Sequence, residues 1–151
     1  MDELEELYQE ILFEHCRNPR NFGELPEASH RALGYNPLCG DRIEVGLRME
    51  GNRIQQIRFR GEGCAISFAS ASVMTETVQG KTVAEVLQLL ERFQKFLTSP
   101  DDSGLPRDVL EGDLWTLQGV RHFPARIKCA TLPWHTLRAA LENRSEPVST
   151  E

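Results

Sequence analysis

Arg42-Ile43-Glu44-Val45-Gly46-Leu47-Arg48-Met49 changes character at every step. Ile43, Val45, Leu47 and Met49 fall on one side, and Arg42, Glu44, Gly46 and Arg48 on the other. A period of two marks a strand with one buried face. Gly51-Asn52 follows as a turn signal, and Ile57 and Phe59 carry a second strand through Arg60. Ile54 falls out of that alternation, which predicts a bulge or an early strand end. The pair reads as an antiparallel hairpin, with residues 30–36 as a candidate third strand.

Helical patterns lie on both sides of this hairpin. Leu4, Leu7, Ile11 and Leu12 recur at helical spacing behind Glu3, Glu5 and Glu6, and Asn18-Pro19 stops the helix near Arg17. Residues 18–40 carry prolines and glycines with little periodicity and read as a loop. Ala65 to Gln79 is rich in Ala and Ser, which suits a helix packed closely on a sheet, and Gly80 ends it. Thr82-Val83-Ala84-Glu85 is a capping box. It opens a helix whose stripe is Val83, Val86, Leu87, Leu90, Phe93 and Leu97, ending near Thr98. A surface loop is expected over 99–104, with short helical pieces at Arg107–Leu110 and Asp113–Gly119. Trp134, Leu137, Ala139, Ala140 and Leu141 mark a last helix with Pro133 in its first turn. The polar stretch from Asn143 on is expected to fray. This order predicts an α+β fold: a small antiparallel sheet of about three strands with helices on one face. Residues 1–142 form a single domain, and 143–151 a polar tail.

The chain has 151 residues, 40% of them hydrophobic, enough for one core. Its net charge of −6 argues against nucleic acid as a partner. No apolar run reaches the length of a membrane span. The acidic start, Met1-Asp2-Glu3-Leu4-Glu5-Glu6, lacks the features of a signal peptide. Four cysteines in such a chain suggest a reducing cytoplasm, where clustered thiols bind metal or do chemistry more often than they pair.

Three of those thiols have shaped surroundings. Asn36-Pro37-Leu38-Cys39-Gly40-Asp41 holds a thiol and a carboxylate in a turn. Gly61-Glu62-Gly63-Cys64-Ala65 sets a thiol at a helix start, where the dipole favours thiolate. Arg126-Ile127-Lys128-Cys129-Ala130 gives a thiol two basic neighbours, Arg126 and Lys128. Taken singly, each also fits a packed cysteine. Taken together, Cys39, Asp41, Cys64 and Cys129 make a four-ligand set suited to zinc or to an iron–sulfur centre. Cys16 and the four histidines, His15, His30, His122 and His135, fit packing or solvent-facing roles better, with His135 a weak ligand candidate.

These motifs resemble the IscU/NifU-N/SufU family of iron–sulfur cluster assembly proteins over nearly the whole chain. His15-Cys16-Arg17-Asn18-Pro19-Arg20-Asn21-Phe22-Gly23 is similar to the family's His-x-x-Asn-Pro-Arg-Asn-x-Gly segment, and the three cysteine segments are similar to its three cysteine motifs. Lys128 stands where IscU-type proteins carry a histidine. Cys64 and Cys129 lie 65 positions apart, and Thr98–Val120 fills the place of the SufU-type insert. Both features resemble SufU. The resemblance implies a SufE/NifU-like fold and a zinc site of Cys39, Asp41, Cys64 and Cys129, with Lys128 and Arg126 around it. It also implies sulfur transfer from a SufS-like cysteine desulfurase and delivery to downstream scaffold or recipient proteins. In the alternative, an IscU-like scaffold, Cys39, Cys64 and Cys129 hold a nascent iron–sulfur cluster. A third reading is a structural-zinc interaction module. Cys39 is the expected sulfur acceptor, because its Pro/Gly turn lets the sulfur move outward and the SufU resemblance points to the same cysteine.

Overall fold

A computed structural model describes residues 3–98, 112–143 and 147–149, with side chains from residue 6 on. The expected loop at 99–104 and helical piece at 107–110 lie outside the described residues. The chain runs α1 (Glu3–Arg17), β1 (His30–Asn36), β2 (Asp41–Glu50), β3 (Arg53–Glu62), α2 (Ala65–Val78) and α3 (Val83–Thr98). A 3₁₀ helix (Gly112–His122), α4 (Pro124–Leu141) and the two-residue β4 (Val148–Ser149) follow.

The sheet has the order β3-β2-β1-β4. β1, β2 and β3 are antiparallel, as expected, while β4 runs parallel to β1. Among the described residues the sheet is therefore four-stranded and mixed, which corrects the expectation of about three antiparallel strands. Val148 and Ser149 lie opposite Gly34 and Tyr35 and cover backbone groups that an edge strand leaves open. Two residues are too few to show a period in sequence.

β2 and β3 shift register after Arg48: Arg48 pairs with Gln56, and Met49 with Ile54. Gln55 is thus the extra residue of a bulge, which turns Ile54 into the core beside Ile57. The opposite face carries charge. Glu44 faces Arg60 across the strands, and its carboxylate accepts from Arg60 Nε at 2.9 Å.

α2 is buried at Ser67, at every residue from Ala69 to Thr75, and at Val78, because α1, α4, the 3₁₀ helix and β3 all pack on it. A helix covered all round has no polar face to display, which explains its unpatterned Ala/Ser sequence. α3 begins with the expected capping box: Thr82 N–H donates to Glu85 Oε1 at 2.9 Å, and Glu85 N–H to Thr82 Oγ1 at 3.2 Å. Its buried stripe is Val86, Leu89, Leu90, Phe93, Phe96 and Leu97, so Leu89 and Phe96 replace the expected Val83, which is half-buried, and Leu87, which is exposed.

α4 starts at Pro124, and Pro133 lies inside it. This corrects the expected start at Pro133. Either proline can occupy a helix's first turn, and only packing separates them. An interior proline has no N–H for the carbonyl four residues back, which here is that of Cys129. α4 crosses β1 at Gly34, where a Cβ would overlap Thr136 Oγ1 and press on Leu132. That crossing sets where Cys129 falls, one turn before Leu132.

Candidate metal centre

The β1–β2 hairpin positions two of the expected ligands. Asn36 pairs with Asp41, and the Asn36 carbonyl accepts N–H bonds from Cys39 at 3.2 Å and Gly40 at 2.9 Å. Cys39 is exposed on this short loop, whereas Asp41 is buried at the start of β2. Cys64 is the N-cap residue of α2. Its N–H donates to Asp41 Oδ1 at 2.8 Å, so the carboxylate sits at the positive end of that helix. Gly63 makes room for it: a Cβ there would stand 2.7 Å from both Asp41 Oδ1 and Ser67 Oγ. Cys129 comes from the second turn of α4 and is fully buried.

Cys129 Sγ lies 3.4 Å from Cys39 Sγ, and Cys64 Sγ lies 3.7 Å from Asp41 Oδ2. Ligand atoms of Cys39, Asp41 and Cys129 are all within 4.8 Å of one another, and Cys64 joins that group through Asp41. Donors held tetrahedrally about 2.0–2.3 Å from a zinc ion stand roughly 3.3–3.8 Å apart. The two measured separations fall in that range, and Cys39, Asp41 and Cys129 are spaced to hold an ion; Cys64 stands outside that group and reaches it only through Asp41. Cys64 is half-buried and opens on its other side into a cavity of about 750 Å³, lined also by Tyr8, Leu12, Phe123 and Arg126.

Burial pushes the Cys129 thiol well above the ordinary cysteine range, and Cys39 and Cys64 push the same way. Three thiols and a carboxylate crowd too much negative charge together to ionise without a cation. Arg126 supplies one. Its guanidinium is raised above its ordinary value first by a hydrogen bond to Cys129, then by the charges of Cys64, Cys129 and Cys39. Arg126 and Cys129 are three apart on α4 and share a face. Lys128, one residue from Cys129, is turned about 100° away and is half-buried.

Cys16 is half-buried on α1, remote in sequence from this group. His135 is lowered below the ordinary histidine value by burial and then by Arg138. His15 is buried, and its partners come from distant segments: Ser72 Oγ at 2.7 Å on Nδ1 and Asp113 Oδ2 at 2.8 Å on Nε2. With Glu76 Oε1 at 3.8 Å, it forms a second group whose spacing could hold a metal. Hydrogen bonds explain the arrangement without an ion. Arg20 N–H donates to Ser72 Oγ, Ser72 Oγ shares a hydrogen bond with His15 Nδ1, and His15 Nε2 bonds Asp113, which pins the 3₁₀ helix onto α1 and α2. One contributor to the centre was not expected from sequence. Asn36 is buried, and its Nδ2 donates to Cys129 Sγ at 3.5 Å. A partner 93 residues away leaves no local signal.

The family profile of the NifU-like N-terminal domain matches residues 7–145. The chain is 41% identical to the zinc-dependent sulfurtransferase SufU of Bacillus subtilis (strain 168), covering 89% of this chain and 88% of that one. It is 35% identical to the iron–sulfur cluster assembly scaffold protein IscU of Streptococcus pyogenes serotype M1, over 94% of this chain and 87% of the other. A crystal structure of an iron–sulfur cluster assembly scaffold protein for the SUF system from Fervidobacterium islandicum AW-1 superimposes with a TM-score of 0.80 at 32% identity, covering 87% and 94% of the two chains.

Proposed function

The chain belongs to the NifU-like N-terminal domain family, and from that premise we propose that it is a zinc-bearing sulfur acceptor in iron–sulfur cluster assembly, charged by a cysteine desulfurase. The observation that carries this reading is the placement of the thiols. Cys39 and Cys129 are 3.4 Å apart, yet the first is exposed on a loop and the second is sealed in the core. The likeness to a zinc-dependent sulfurtransferase supports it. Zinc, when bound by Cys39, Asp41, Cys64 and Cys129, keeps sulfur ligands as thiolates and brings no redox chemistry of its own.

The chain's own residues supply the rest. Asp41, fixed by the Cys64 N–H, and Arg126, on the face of Cys129, set the charge around the thiols. The Cys39 thiolate, on its hairpin loop, attacks the outer sulfur of the desulfurase's persulfide. A sulfur–sulfur bond forms at Cys39 as the one at the donor breaks, and the donor leaves as its cysteine thiolate. No electrons are gained or lost overall. Cys64 and Cys129, on α2 and α4, stay in place.

The test is sulfide production by a cysteine desulfurase with cysteine and a thiol reductant. Adding the zinc-loaded chain is expected to raise the rate; an unchanged rate argues for a structural-zinc module instead. A scaffold role, suggested by the likeness to IscU, predicts a stable brown colour after anaerobic reconstitution with iron and sulfide. The acceptor reading predicts retained zinc and no lasting colour.

A further inference from the structure

We infer that Asn36 is a positioning residue that keeps Cys129 the least reactive of the three site thiols and so directs incoming sulfur to Cys39. The inference rests on the sulfur-acceptor reading above and adds the reason one cysteine is chosen. Cys39 and Cys129 are near neighbours, so proximity alone does not choose between them.

Asn36 is 1% exposed, and its Nδ2 donates to Cys129 Sγ at 3.5 Å. Its Oδ1 is buried and has no hydrogen-bond partner among the described residues. An orphaned buried oxygen is costly, and a leucine of similar volume would avoid it. The amide N–H is what the leucine could not supply. A metal-bound thiolate has only acceptor capacity, so the amide must present its N–H to the sulfur. A sulfur lone pair engaged by a donor is less available to attack an electrophile.

The backbone holds the amide in place. Asn36 ends β1, its carbonyl accepts from Cys39 and Gly40, and Pro37 restricts the Asn36 backbone to extended conformations. One residue thus braces the loop that carries the reactive sulfur and hydrogen-bonds the sulfur that must stay inert. Among the described residues two N–H donors reach this sulfur: Arg126, which is exposed, and Asn36, which is buried. Its further contacts include Cys39 Sγ and the Ala125 carbonyl at 3.8 Å, and neither donates an N–H.

The test is competitive alkylation of the zinc-loaded chain with iodoacetamide, each cysteine followed by mass spectrometry. Asn36→Leu and Asn36→Asp are compared with the parent, Asp keeping the outline of Asn without the amide N–H. In the parent, Cys39 is expected to react first and Cys129 last. In either folded variant, Cys129 is expected to react about fivefold faster, the factor corresponding to one hydrogen bond of ~1 kcal/mol, with Cys39 and Cys64 unchanged. An unchanged Cys129 rate would show that burial alone protects the sulfur and would overturn the inference. So would a parallel rise at all three cysteines, which marks general loosening. The readout uses no desulfurase, so the Cys129 effect is measured whether or not the chain accepts sulfur.

Discussion

The sulfur of Cys39 lies 3.4 Å from that of Cys129, 90 residues further along the chain, with the first exposed and the second buried. Three folding events build the candidate centre around this pair. The β1–β2 hairpin places Cys39 and Asp41, the end of β3 leads Cys64 onto the start of α2, and the crossing of α4 over Gly34 brings in Cys129. The centre therefore reads out the whole fold.

Single alanine substitutions at Cys39, Cys64 and Cys129 are expected to lower zinc content sharply, measured by elemental analysis of purified protein. Asp41→Ala is expected to weaken binding, leaving a position open to water. Cys16→Ala is expected to keep about one zinc per chain. Loss of metal in Cys16→Ala equal to that in Cys64→Ala would contradict the ligand assignment.

Zinc removal is expected to lower the melting temperature, because the proposed ligands tie three segments together. Free zinc at 100 times its dissociation constant adds about 2.7 kcal/mol. For a domain of this size that is roughly 5–10 °C. Matching melting curves before and after confirmed zinc removal would contradict the cross-linking role.

Gly63→Ala and Gly34→Ala separate the centre from the fold. At Gly63 a Cβ meets Asp41 Oδ1, so the variant is expected to lose zinc affinity while its zinc-free melting changes little. At Gly34 a Cβ meets Thr136 beneath α4, so the variant is expected to lose about 1–3 kcal/mol with or without zinc. Equal losses in the two zinc-free proteins, read by chemical denaturation, would go against this division.

His135 gives a pH dependence of stability. Burial lowers its folded value below the ordinary 6.5, so the unfolded chain takes up a proton that the folded chain resists. Its contribution is complete above the unfolded value and is lost as pH falls from there through the lowered folded value. His135→Gln is expected to shrink the drop in melting temperature between about pH 7 and pH 5. A drop of the same size in both proteins would exclude His135 as the cause.

Much of this architecture is legible in local sequence. The alternation in β2, the misfit of Ile54 that becomes the Gln55 bulge, and the Thr82–Glu85 box are each written within a few residues. The three thiol segments stand out by their glycines and charges and by family resemblance. What stays hidden is set by distance or brevity. β4 is two residues long, and the start of α4 is ambiguous between Pro124 and Pro133. Leu89 and Phe96 displace Val83 and Leu87 from the α3 stripe only because of where neighbouring elements stand. The His15–Asp113 and Asn36–Cys129 bonds join residues more than 90 positions apart, and no periodicity encodes such a pair.

The central claim is that Cys39 receives the sulfur, and locating the persulfide tests it most directly. The zinc-loaded chain is incubated with a cysteine desulfurase and cysteine, alkylated, digested without reductant and analysed by mass spectrometry. The account predicts the added sulfur on the peptide containing Cys39. Sulfur found consistently on Cys129, with Cys39 unmodified, would contradict it.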